Sequence, residues 1–223
     1  MLQGRSRLPV LAEIAGPAEG SRAWALGRRD FEALGAVLSR LAGQRVAAVV
    51  GEGEVPATAA IALASAAAAS SRSVILVECD LARPRLAAQV GLAPSPGLHE
   101  YLRWEAEPAD VLQPVALAGP GTAVGGQLVC VCGGRPATKA ETLLGLQSFS
   151  HVVMKLRAAY ELVLLLAPPV RGEPAACLAV AAQADATIAG LAAGETAGRS
   201  GRALRTAIKR LPVSPVGAIA IGA

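Results

Sequence analysis

The chain has 223 residues, of which 53% are hydrophobic, 3% aromatic and 17% charged, and its formal net charge is +4. So apolar a sequence can bury enough surface to offset its chain entropy, which excludes an extended disordered protein, and the scarcity of rings excludes a base-stacking surface for single-stranded nucleic acid. The length suits one ordinary domain, and the positive charge comes almost wholly from arginine, a bias that more often reflects coding composition than a binding device.

Residues 1–7 are short and basic and no continuous apolar core follows them, so no secretory signal is expected and the protein is expected to stay in the cytoplasm. Residues 1–24 read as an N-terminal lead-in segment and residues 25–223 as a single α/β domain. A helical pattern over residues 25–42 precedes the apolar run RVAAVV at 45–50, and a second helix is expected over 58–71. The uncharged stretch 55–71 is built from Ala, Ser and Thr, which drive membrane insertion far less than Leu or Phe, so it reads as a buried helix. Further apolar runs follow at 74–77, 128–132, 162–166, 186–191 and 216–221, separated by helical patterns at 98–104, 140–159, 174–182 and 197–209. Near-continuous apolar runs mark strands covered on both faces, and their alternation with helices predicts a doubly wound, mostly parallel sheet with helices on both sides.

Between these elements GPGTAVGG at 119–126 reads as a loose loop. Cys79, Cys130, Cys132 and Cys177 stand singly or as C-x-C within apolar runs, a pattern of small buried hydrophobes rather than zinc ligands, and no metal site is expected. His99 and His151 are far apart and neither neighbours a nucleophile, so both read as structural.

In a sheet of this kind ligands bind where strands end and helices begin, above all at the first strand-to-helix turn. That turn is GEGEVPAT, Gly51 to Thr58, which has the context of a phosphate-binding loop. Around it stand LPVLAEI at Leu8 to Ile14, a helix at Phe31 to Leu38, VILVECDLARPRLAAQVGL at Val74 to Leu92 and GLHEYL at Gly97 to Leu102. VCGGR with KAETLL, YELVLLLAPPV at Tyr160 to Val170 and the ending SPVGAIAI follow. In this order and over nearly the whole chain, the sequence resembles the bacterial tyrosine autokinases of capsule and exopolysaccharide export, of the CpsD/CapB type. Those are deviant-Walker P-loop ATPases, so the resemblance implies a P-loop α/β fold.

The same alignment shows where the chemistry of that family is missing. Its GEGKST falls on Gly53, Glu54, Val55, Pro56, Ala57 and Thr58. Pro56 stands where a lysine would span the β and γ phosphates, and Ala57 where a hydroxyl would hold magnesium. Proline also lacks an N–H donor, and Val55 puts a branched side chain where glycine would allow close approach. Leu166 stands where the family has the Walker B aspartate, and an isobutyl group offers no oxygen to a hard cation. Glu78 and Asp80 keep the charges of the family's D-x-D. Glu78 reads either as a base or as a carboxylate held structurally by backbone N–H groups and Arg83 or Arg85. Ile221 replaces the adenine-reading asparagine, and Tyr101 and Tyr160 do not form an acceptor tail.

Together these losses argue against Mg-ATP chemistry. What the resemblance then implies is a catalytically dead relative, without cofactor, acting as a scaffold or regulatory subunit of a polysaccharide export machine. It would bind the cytoplasmic end of a membrane polysaccharide co-polymerase, or an active family kinase, at the inner face of the cell membrane. The alternative is a divergent ATPase or tyrosine autokinase using ATP and Mg through Thr58, Glu78 and Asp80.

Assembly also departs from the family. The ring-forming E-x-x-R-x-x-R falls on Arg29, Glu32 and Gly35, which argues against a homo-octameric ring and leaves Arg29 and Glu32 as either a partner contact or a solvated i, i+3 pair. On the last helix Arg199, Arg202, Arg205 and Lys209 recur every three or four residues, as an acidic-partner or lipid-headgroup surface or as a solvated face.

Overall fold

The structure, a computed structural model, describes residues 8–16, 26–115, 127–194 and 199–222. The loop at 119–126 lies outside them.

Among the described residues eight strands form one sheet in the order β1-β8-β7-β2-β6-β3-β5-β4. They are β1 (Val10–Ala15), β2 (Val46–Gly51), β3 (Ser73–Glu78), β4 (Gln113–Val115), β5 (Gln127–Val131), β6 (Leu162–Leu166), β7 (Ala186–Ala192) and β8 (Pro215–Gly222). All pairings are parallel except that of β4, which runs antiparallel to β5 along one edge. Strands β2 and β6 are buried at every position, as the continuous apolar runs predict for strands covered on both faces.

The helices are α1 (Arg28–Arg40), α2 (Val55–Ala69), α3 (Leu86–Val90), α4 (Leu98–Leu102), α5 (Pro108–Val111), α6 (Ala140–Leu144), α7 (Gln147–Ala159), α8 (Pro174–Ala181) and α9 (Arg199–Ile208). They split into two layers, each with its own core. One core packs α1, α2 and α3 on one face of the sheet. The other gathers residues of α4 to α9 on the opposite face. Helix α2 is apolar on every side and buried from Pro56 to Ala68, because it lies between the sheet and α1. Its alanines let those layers approach closely. Among the described residues no helix is long and apolar enough to cross a membrane.

Several elements differ from the sequence reading. The LPVLAEI segment is not a mere lead-in: Val10–Ala15 pairs with β8 as the edge strand of the sheet. Helix α2 begins at Val55, three residues before the position expected from its alanine run, because proline near a helix start forfeits no intrahelical bond. The pattern over 140–159 is two helices, α6 and α7, separated around Gly145 and Leu146. The short α3, α5 and β4 carry too little periodicity to be read from sequence. The i, i+3 pairing of Arg29 with Glu32 does not form, since Glu32 bonds Arg28 at 3.0 Å, one helical turn away, and Arg29 is exposed.

Candidate functional site

The crevice lies where β2, β3 and β6 end together. Register places Val49 beside Leu166 and Leu166 beside Glu78, so the phosphate-loop turn, the Walker B position and the D-x-D equivalent share one end of the sheet. Gly51, Gly53, Glu54, Pro56, Ala57, Glu78, Asp80 and Leu166 all line a cavity of about 150 Å³ there. That is below the roughly 300 Å³ at which small-molecule sites begin.

The loop turns through Gly53 at φ +66°, a left-handed conformation that glycine adopts without strain. Pro56 then seats its ring against the ends of β2 and β7. A Cβ on Gly51 would lie 2.6 Å from the Pro56 Cγ and 2.6 Å from the Gly190 carbonyl oxygen, and one on Gly190 would lie 2.8 Å from the Pro56 Cα. Both strands can come this close to the proline only because neither carries a side chain at that point. The Thr58 hydroxyl is turned back onto its own helix, 3.5 Å from the Glu54 carbonyl oxygen. It does not line the cavity, and neither does Val55, the first residue of α2.

Glu78, 1% exposed, is held by backbone alone. Its Oε1 accepts from the N–H groups of Arg85 (2.5 Å) and Leu86 (2.8 Å), and its Oε2 from Gly133 N–H (2.8 Å). Burial pushes its carboxyl above the ordinary range while these three donors pull it down. The structural reading of Glu78 therefore describes its contacts, with the arginine contribution coming from the Arg85 backbone and not from a guanidinium. Asp80, half-buried, accepts from Arg83 N–H at 3.1 Å, and burial pushes its carboxyl up as well.

Around the mouth, charges pair with one another. Arg85 meets Glu54 at 2.6 Å, Arg83 meets Glu173 at 3.3 Å, and Glu52 holds both the Arg171 N–H at 2.6 Å and its guanidinium at 3.4 Å. These pairs join the phosphate-loop turn, the segment after β3 and the segment after β6. Sequence reasoning passed over Glu52, Arg171 and Glu173, whose only signal was their place just beyond the ends of β2 and β6.

Two further groups of expected residues lie away from the crevice. Ile221 does not reach the cavity. It pairs with Ile14 and Ala192 near the end of β8 and packs beside Gly16, in the core on the α1 and α2 side. On α9, Leu204 and Ile208 are buried while Arg202 is exposed and Arg205 half-buried, so the arginines lie away from the core. The side chain of Arg199 lies outside the described residues. All four cysteines are buried free thiols, and burial pushes Cys132 and Cys177 to about 12.

A bound nucleotide with magnesium, which a P-loop fold implies, does not fit these residues. Pro56 offers no cation and Ala57 no hydroxyl, and Leu166, 5% exposed, presents hydrocarbon where a metal ligand would stand. The carboxylates of Glu52 and Glu54 flank the turn at which phosphates would arrive.

No family model matches the sequence, and no curated protein matches it. Solved structures do. The chimerical protein CapA2B2 superposes with a TM-score of 0.80 at 15% identity, over 96% of this chain and 94% of that one. The kinase domain of the Escherichia coli tyrosine kinase ETK gives 0.77 at 18% identity, over 96% and 90%. The fold is that of a bacterial tyrosine-kinase domain. The BceF tyrosine kinase domain adds 0.74 at 21% identity, over 96% and 93%. Matches of lower TM-score include proteins solved with ADP and magnesium, in the same mostly parallel α/β architecture.

Proposed function

We propose that this chain is a non-catalytic protein of tyrosine-autokinase fold that acts as a scaffold or regulatory subunit in capsule or exopolysaccharide export. Its partner is the cytoplasmic end of a membrane polysaccharide co-polymerase or an active kinase of the same fold, which would place it peripherally at the inner face of the membrane. The observation that supports this reading is the crevice at the end of β2, β3 and β6. The framework that would position a triphosphate is present, but Pro56, Ala57 and Leu166 stand where its cation and metal ligands would be. Phosphoryl transfer depends on those groups for nearly all of its rate, so a binding role is what the remaining surface can perform.

Calorimetry with Mg-ATP and Mg-ADP tests the loss of catalysis, and co-purification with the co-polymerase cytoplasmic segments tests the partner. We expect no saturable nucleotide binding and a stable complex that is indifferent to added nucleotide. Micromolar Mg-ATP affinity would favour a divergent ATPase or kinase instead.

A further inference from the structure

A second cleft, of about 620 Å³, opens on the α4 to α6 side of the turn after β5, outside the phosphate-loop crevice. Its polar wall is built around one carboxylate. Glu105 takes Arg103 Nε on Oε1 at 2.6 Å and Arg135 Nη2 on Oε2 at 3.0 Å, which sets two guanidinium groups side by side. Arg135 is fixed a second time by Glu100, whose Oε1 accepts its Nε at 2.8 Å from a side chain only 4% exposed. The opposite wall is the segment leading into α6, where Thr138, Lys139 and Thr142 line the same cleft. Among the described residues the side chains of Thr138, Lys139 and Thr142 have no hydrogen-bond or ion-pair partner, and the Arg103 guanidinium has none beyond Glu105.

The walls are held before any ligand arrives. Leu98 and His99 donate their N–H groups to the carbonyls of Cys132 and Gly133, His99 Nδ1 lies 2.7 Å from the Arg135 carbonyl oxygen, and Ala137 N–H donates to the Leu81 carbonyl at 2.7 Å. Such pre-organisation lowers the ordering cost of binding. Arg103, Arg135 and Lys139 line the cleft against Glu105, with Glu100 behind Arg135. Guanidinium N–H groups not taken by Glu100 or Glu105 lie on one wall, and an amine-bearing and two hydroxyl-bearing residues line the other. That donor set suits an oxyanion with several terminal oxygens better than a two-oxygen carboxylate. Pro136, Ala137 and Leu143 supply an apolar part of the lining for an organic substituent.

We propose that this cleft is a binding site for a phosphate monoester, with the phosphate between Arg103, Arg135 and Lys139 and the ester body against Pro136 and Leu143. The site is independent of the non-catalytic reading of the phosphate-loop crevice. The shared chemistry is the phosphate group, and its bearer is either an aromatic ester or a sugar ester.

Calorimetry on the full chain at fixed ionic strength, with inorganic phosphate, phenyl phosphate and glucose 6-phosphate as probes, decides this. One saturable site is expected, with one of the two esters tighter than inorganic phosphate, which identifies the bearer. Arg103→Ala and Lys139→Ala are each expected to weaken that ester at least tenfold, whereas Arg28→Ala, on α1, leaves it unchanged. Thermal unfolding shows whether each variant is folded, and Arg103→Gln and Lys139→Gln replace any that is not. No saturable binding, neither ester tighter than inorganic phosphate, or binding that the Arg103 and Lys139 variants leave intact would overturn the proposal.

Discussion

Glu78 and Glu100 grip the same turn from two sides. Glu78 accepts the N–H of Gly133, and Glu100 accepts the N–H of Arg135 at 3.0 Å, two residues further on. Between them Gly134 takes φ +90°, and a Cβ there would meet a Glu100 carboxylate oxygen, so only glycine fits. The turn after β5 therefore belongs to both clefts, with the crevice carboxylate on one side and the Arg135 wall on the other.

These two carboxylates should push stability in opposite directions as pH falls. Arg135 and the N–H groups of Arg135 and Gly97 hold Glu100 down to about 2 despite its burial. Its contribution is complete above the unfolded pKa and is lost as pH drops through the folded one. Burial holds Glu78 above its unfolded value, so the folded state gains a proton first and is favoured as pH falls through that range. Glu100→Gln should flatten the loss of stability in acid, and Glu78→Gln should steepen it. Both should cost about 1–3 kcal/mol at neutral pH, because an amide presents a donor to backbone N–H groups. Urea unfolding between pH 2 and 7 measures both, and equal acid slopes in the two variants would contradict the assignment.

Gly51→Ala and Gly190→Ala should each destabilise the fold by about 1–3 kcal/mol, as overpacking does. The added methyl of the first meets both the Pro56 ring and the Gly190 carbonyl, and that of the second meets the Pro56 backbone. Gly35→Ala is the control, since a Cβ at that position meets nothing within 4 Å. Denaturant midpoints compare the three, and a neutral Gly51→Ala would show that the proline is not seated as described.

Pro56→Lys alone should leave the chain without measurable Mg-ATP affinity. It supplies one cation, yet Ala57 and Leu166 still offer no oxygen to the metal, and Glu52 and Glu54 still flank the loop. Titration with a fluorescent nucleotide tests this. Tight binding by the single variant would mean that the lysine was the one missing element.

The chain should not assemble into a homo-octameric ring. Arg29 and Glu32 exchange the charges of the ring-forming helix, and Glu32 is taken up by Arg28 within α1. Light scattering is expected to give a smaller species. An octamer disrupted by Arg29→Glu would reverse the expectation.

Much of this architecture is legible in sequence because the sheet interior leaves little choice. Runs such as LVLLL at Leu162–Leu166 have no polar face to misplace, so their strands appear within a residue or two of where periodicity puts them. The crevice is legible for a related reason: a strand followed by a glycine turn and an apolar helix fixes where Gly51 to Ala57 must stand. What is not legible depends on partners distant in sequence. Glu100 and Arg135 are separated by 35 positions, and only the fold reveals that one holds the other. Arg29 and Glu32 have the spacing of a pair, yet Arg28 has a slightly better one. Val10–Ala15 becomes a strand because β8 offers it an edge, which no local pattern announces.

The three ion pairs at the crevice mouth bear on what the chain can sense. Glu54 with Arg85, Glu173 with Arg83 and Glu52 with Arg171 fasten together the loops that a triphosphate would otherwise bridge. On the non-catalytic reading proposed above, this fastening by the chain's own side chains would leave the crevice indifferent to adenylate levels. Exposed pairs of this kind contribute little individually and weaken as salt screens them. On that same reading, ionic strength is the variable to which these loops would answer.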